Sequence, residues 1–217
     1  LQHEIESRGG VVFAAVADVG DRLALRDAVS RIEANLGPVD VMVANAGVGI
    51  PTSLNPLNVA DVEETFRVNV LGVVYAVEAV LPGLLDRGSG QLVAISSMAA
   101  FKGLPGESAY CASKAAVNQY MEGLRLSVRG KGITVTTICP GFVATGITPM
   151  NSPAPFEISA QAAARKIARA IVRRRSGLVR FPWPMTLLMA VIQRLPDCLA
   201  ARLVAHVRAS LPPGPAQ

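Results

Sequence analysis

Tyr110 and Lys114 stand four residues apart in the stretch SAYCASKAAV, residues 108–117. Four residues is about one helical turn, so on a helix the two side chains share a face. A tyrosine hydroxyl can hand over or take up a proton, but its ordinary pKa of ~10 is too high for efficient transfer at neutral pH. A lysine ammonium one turn away stabilises the phenolate and lowers that pKa. Many helices carry such a pair by chance. Whether this one is a proton-transfer device or a surface pair depends on what else the chain brings to it.

The elements that must position the pair alternate along the chain. GVVFAAVAD (10–18) and VDVMVANAG (39–47) read as strands, with a helix over 22–37 between them that stops at Gly37-Pro38. A long helix is expected from Val59 to Asp86, a strand in GQLVAISS (90–97) and a helix from Ser108 to Arg129. GITVTTICPG (132–141) is the next strand, a helix follows near 159–175, and GLVRFP (177–182) is a further strand. Two short amphipathic helices close the chain. Strands alternating with helices imply crossovers and a parallel sheet with both faces covered. Ligands of such sheets bind at the carboxyl ends of the strands. NAG, SS and PG each end a strand here, and the Tyr–Lys helix begins after the strand that ends in the serines.

Bulk properties agree with this α/β reading. The 217 residues suit one domain, with 1–182 as its body and 183–217 as a helical extension. About half the residues are apolar (51%) and few are aromatic (5%), as buried parallel strands require. No apolar run is expected to reach membrane-spanning length, and the first residues show no signal-peptide pattern. The three cysteines have no metal-ligand spacing and fit reduced thiols in a cytoplasm, so no metal is expected. Charge is divided unevenly. Residues 1–160 carry 11 Lys/Arg against 15 Asp/Glu, and residues 161–217 carry 10 against one, Asp197. Such asymmetry marks a solvated basic face, a membrane surface or an anionic partner. No nucleic-acid motif accompanies it.

Six motifs in order resemble the short-chain dehydrogenase/reductase family. They are DV (Asp18, Val19), NAG (Asn45, Ala46, Gly47), NV (Asn69, Val70), ISS (Ile95, Ser96, Ser97), YCASK (Tyr110 to Lys114) and PGFVAT (Pro140 to Thr145). The resemblance implies an oxidoreductase that moves hydride between NAD or NADP and an alcohol or carbonyl substrate. It implies a doubly wound parallel-sheet Rossmann fold. Tyr110 would be the general acid in reduction and the base in oxidation. Lys114 would tune it and bond the nicotinamide ribose. Ser97, thirteen residues before the tyrosine, would hold the substrate oxygen, and Asn69 would hold a water in a proton relay. The cofactor contacts implied are Asp18 and Val19 at the adenine, Asn45, Ala46 and Gly47 at the adenosine ribose, and Pro140, Gly141, Val143 and Thr145 at the nicotinamide. Several positions also have plain structural readings: Asp18 as a helix cap, Asn69 as a helix kink, the serines as strand-end caps.

The family opens with a strand, a turn of the form T-G-x-x-x-G-x-G, a helix and a second strand, and none of these is in this sequence. The expected fold therefore lacks its first β-α-β unit, roughly forty to fifty residues. Three consequences are expected. Cofactor affinity of these 217 residues alone falls, because no glycine turn approaches the pyrophosphate. The choice between NAD and NADP is not readable. VDVMVANAG becomes an exposed apolar edge, and VVFAAVAD has no neighbour. The alternative from another class is a non-catalytic binding or regulatory protein on a truncated dehydrogenase domain. By the resemblance, the long helices would pair subunits into homodimers or homotetramers. Segment 181–209 mixes an apolar face with arginines, which fits a lid over a lipophilic substrate, a subunit contact or peripheral contact with a membrane.

Overall fold

A computed structural model describes residues 2–144, 155–196, 198, 199 and 202. Four parallel strands form the sheet: β1 (Val41–Ala44), β2 (Gly90–Ile95), β3 (Ile133–Pro140) and, after two short strands, β6 (Gly177–Phe181), in the order β1-β2-β3-β6. Leu92 pairs with both Met42 and Val135, and Pro140 with Phe181, so the carboxyl ends of the strands lie in step. Between them run the helices α2 (Arg22–Leu36), α3 (Val59–Phe66), α4 (Gly72–Arg87), α5 (Ser108–Ser127) and α6 (Ala160–Val172), and α7 (Trp183–Ile192) follows β6. A short α1 covers Gln2–Glu6.

Alternate residues of the strands feed two cores. Leu92 and Ala94 of β2 pack with Val73, Val77, Val80 and Leu84 of α4 and Val117 and Met121 of α5. Val93, between them, faces Ile138, Phe181 and the alanines of α6. Both faces of β2 are thus apolar, as a strand covered by helices on each side requires. A third cluster joins Met98 and Cys139 to Met185, Met189 and Ile192 of α7.

Four expectations need correction. Residues 10–18 form no strand and join no ladder, and Val11 and Val16 are 83% and 100% exposed. A β-branched run takes strand form only when another strand supplies its hydrogen bonds, and none among the described residues does. Second, the helix from Val59 to Arg87, taken through its irregular centre, is long and apolar enough by length and composition to cross a membrane. Its core-facing residues are packed on the sheet, which accounts for that composition. Third, this helix is not regular: Arg67–Leu71 forms a π-turn between α3 and α4. Fourth, two further strands appear, β4 (Val143–Ala144) and β5 (Ile158–Ser159), paired in parallel with each other. The second closing helix falls largely outside the described residues. The exposed edge is as expected: β1 ends the sheet, with Val41 and Val43 exposed.

Candidate active site

The carboxyl end of β2 delivers the serines. Ser96 is buried and its Oγ donates to the carbonyl of Lys114 at 3.0 Å, tying the strand to α5. Ser97 caps the 3-10 turn Met98–Phe101, its Oγ accepting from the Ala99 amide at 3.1 Å. The same Ser97 side chain lies near enough to Tyr110 to draw its pKa down. The plain reading of Ser97 as a strand-end cap is therefore met in the structure.

On α5, Tyr110 and Lys114 share a face, with the ammonium 5.8 Å from the phenol ring centroid. Lys114 is buried, and its Nζ donates to the Ile95 carbonyl at 3.0 Å. Burial pulls its pKa down to about 8, partly opposed by the nearby Cys139. Tyr110 behaves differently from the expectation. Burial pushes its hydroxyl above the usual phenol value, Ser97 pulls it back, and Cys111 and Glu107 push it up again. Lys114 is not among the groups that lower it; the ammonium is directed at a backbone carbonyl instead. Behind them, burial lifts the Cys139 thiol to about 11, opposed first by Ser96 and Arg180, while its Sγ donates to Asn118 Oδ1 at 3.6 Å.

Asn69 sits in the π-turn and is fully buried. Its Oδ1 accepts from the Val48 amide at 2.8 Å, and its Nδ2 donates to the Val48 carbonyl at 2.9 Å and to Ser113 Oγ at 3.0 Å. Ser113 Oγ in turn donates to the Tyr110 carbonyl at 2.8 Å. Both amide protons of Asn69 are therefore used within the protein, to fasten the turn after β1 to the Tyr–Lys helix. Gly47 lies in that turn. A Cβ there would stand 3.2 Å from Asn69 Oδ1 and 3.3 Å from Lys114 Nζ, closer than side chains normally approach. Asn69, Gly47, Ser97, Tyr110 and Lys114 thus meet at one rim of the sheet.

The other named residues lie around this centre. Asp18 is not a helix cap; Asp21 is, accepting from Leu23 and Ala24 at the start of α2. Asp18 Oδ1 accepts from the Gly20 amide at 2.8 Å, and Oδ2 from Arg67 Nη1 at 2.7 Å. These two contacts hold its carboxyl below the usual range, the Gly20 amide first. Arg67 also grips Glu64 with two bonds, at 2.7 and 2.8 Å. Val19, Asn45 and Ala46 line one cavity of about 290 Å³, with Met42, Val68 and Gly72. A second cavity, about 820 Å³, follows Ser97 and is lined by Phe101, Leu104, Pro105 and Cys111. The Gly141 amide donates to the Phe181 carbonyl at 2.7 Å, and Val143 stands in β4. Thr145 lies outside the described residues. Among the described residues no cluster has metal-ligand character.

Sequence reading did not find Ser113, Arg67 or the Ile95 carbonyl. Ser113 lies inside YCASK, and no spacing rule marks its bond to Asn69, 44 residues away. Arg67 is 49 residues from Asp18, so no spacing rule could link them.

Residues 1–155 match the family described as short chain dehydrogenase. An uncharacterized oxidoreductase of Myxococcus xanthus is 37% identical over 200 residues, 92% of this chain and 79% of that protein. The solved structure of a 3-ketoacyl-ACP reductase from Sinorhizobium meliloti superposes with a TM-score of 0.75 at 29% identity, covering 85% of this chain and 83% of the other. A gluconate 5-dehydrogenase from Burkholderia cenocepacia, solved with NADP and tartrate, gives a TM-score of 0.64 at 28% identity, over 67% of this chain and 57% of its own.

Proposed function

The chain belongs to the short-chain dehydrogenase family, and we propose that it moves hydride between NAD or NADP and a small alcohol or carbonyl compound, with Tyr110 as acid and base. One observation carries the reading. At the carboxyl end of the sheet, Tyr110 and a buried Lys114 share one face of α5, with the ammonium 5.8 Å from the phenol ring centroid, and Ser97 is near enough to act on the Tyr110 hydroxyl. Support for a dinucleotide comes from the closeness of Gly47 to Lys114 and Asn69, which leaves the turn after β1 free of side chain. It comes also from the NADP held by the gluconate 5-dehydrogenase.

Asp18, Val19, Asn45, Ala46 and Gly47 would hold the adenosine end of the cofactor, and Pro140, Gly141, Val143 and Thr145 the nicotinamide. When bound, the nicotinamide supplies or accepts the hydride. Ser97 Oγ holds the substrate oxygen, as donor to a carbonyl or acceptor from an alcohol. Tyr110 Oη delivers a proton to that oxygen in reduction and removes it in oxidation. Lys114, one turn from Tyr110, would supply the positive charge that a forming phenolate requires. Asn69 keeps the turn after β1 and the Tyr–Lys helix in fixed relation. Nothing at the site favours the non-catalytic alternative.

The apolar lining of the second cavity suits a lipophilic alcohol or ketone. Free thiols at Cys111, Cys139 and Cys198 suit a reducing cytoplasm. The long helices would pair subunits as in dimeric or tetrameric dehydrogenases. The test is a panel of secondary alcohols and ketones with each nicotinamide dinucleotide, followed by nicotinamide absorbance on the full-length gene product. Turnover that is lost in Tyr110→Phe supports the reading; a panel with no turnover opposes it.

A further inference from the structure

We propose that the outer face of α7 docks the protein on a membrane surface rich in anionic lipid. The helix has two faces of different fate. Met185, Met189 and Ile192 are buried against Met98 and Cys139. Trp183, Leu187 and Val191, spaced four apart, point outward and are 75%, 60% and 48% exposed. Side chains at i, i+4 and i+8 form one continuous stripe on a helix. The only hydrogen-bonding group of the stripe is the Trp183 indole N–H, at its end, and the hydroxyl of Thr186 is already bonded to the Pro182 carbonyl. A protein interface of this size would carry polar partners at its rim, whereas a lipid surface needs none. Tryptophan at the edge of such a stripe suits the headgroup boundary.

Charge selects the lipid. Residues 158–196 hold eight Lys/Arg and no Asp or Glu. Arg180 and Arg194 stand just before and just after α7, and Arg194 reaches back to the Ala190 carbonyl at 2.9 Å. Basic groups beside an apolar helix face are drawn to anionic headgroups. The same charge disfavours a second copy as the occupant, because an isologous contact through α7 would bring its flanking Arg180 and Arg194 towards the same residues of the other copy. Docking here would bring the turn after Ser97 close to the lipid, because α7 packs directly on Met98. The docking surface itself does not rest on the catalytic reading.

Trp183 is the single tryptophan of the chain, so its fluorescence reports on this face alone. The experiment titrates the protein with vesicles of phosphatidylcholine plus phosphatidylglycerol, and with phosphatidylcholine alone. The expected result is a blue shift with anionic vesicles, quenching by brominated acyl chains, and weakening by salt. The double variant Leu187→Asp, Val191→Asp should lower the apparent partition coefficient about tenfold or more, while circular dichroism stays unchanged. Absence of any shift with anionic vesicles would overturn the proposal. So would a blue-shifted emission without lipid, which means that the chain or a second copy already covers the stripe. Equal shifts with neutral vesicles would overturn the assignment to an anionic surface.

Discussion

Asn69 Nδ2 donates to Ser113 Oγ at 3.0 Å, and through that bond the turn after β1 is fastened to the helix that carries Tyr110 and Lys114. Neither group can find water, since both are fully buried. Ser113→Ala leaves an Asn69 proton without a partner. The expected cost is about 1–3 kcal/mol of stability, the usual penalty for an unsatisfied buried donor. Chemical denaturation measures it. A loss well below that range would mean that the side chain of Asn69 can turn to another acceptor.

Lys114 makes stability depend on pH. Its folded pKa, about 8, lies below the ordinary value of 10.5. Below pH 8 both states are protonated and the folded state carries the full burial penalty. As pH rises from about 8 towards 10.5, the unfolded chain keeps its proton longer, so stability rises. The contribution is of order 3 kcal/mol at most. Cys111, Cys139 and Tyr110, all raised by burial, act in the opposite sense as pH passes their ordinary values of 9.0, 9.0 and 10.0, so the Lys114 contribution is read as the difference between wild type and Lys114→Met, in which theirs cancel. Lys114→Met should be more stable than wild type at neutral pH, and the difference should shrink as pH rises. Urea midpoints at several pH values test this.

Ser97 has two tasks, and its removal should show both. Ser97→Ala takes away the group that pulls the Tyr110 pKa down. The Tyr110 hydroxyl should titrate at higher pH by ultraviolet difference spectroscopy. Loss of the bond to the Ala99 amide should cost about 0.5–2 kcal/mol, as for other cap removals. An unchanged Tyr110 titration would remove Ser97 from the proton device.

Arg67 offers a contrast in magnitude. Its bonds to Asp18 and Glu64 are short, but all three groups are substantially exposed. Arg67→Met should change stability by less than about 1 kcal/mol, with what change there is fading in salt. A larger loss would show that Arg67 supports the π-turn as well as the surface network.

The parts of this protein legible in its sequence are those fixed by local pattern. The helices 22–36, 108–127 and 160–172 and the strands at 41–44, 90–95, 133–140 and 177–181 lie inside the stretches that periodicity marked. Two things failed for physical reasons. The run at 10–18 has strand chemistry, yet strand structure depends on a partner elsewhere. The π-turn at Asn69 depends on a contact with Val48, 21 residues away, which no helical pattern encodes. At the site, the types and order of Ser97, Tyr110, Lys114 and Asn69 were readable. Their coupling was not: Lys114 turns to the Ile95 carbonyl, and Ser113 completes the link to Asn69.

The most direct test follows an isotope rather than a rate. A nicotinamide dinucleotide carrying deuterium at the transferable position is incubated with the full-length gene product and a panel of lipophilic ketones. Deuterium should appear on the carbinol carbon of the product, and Tyr110→Phe should lower the yield about 10² to 10⁴-fold at unchanged fold. Deuterium transferred equally by both proteins, or by neither, would contradict a Tyr110-driven hydride transfer.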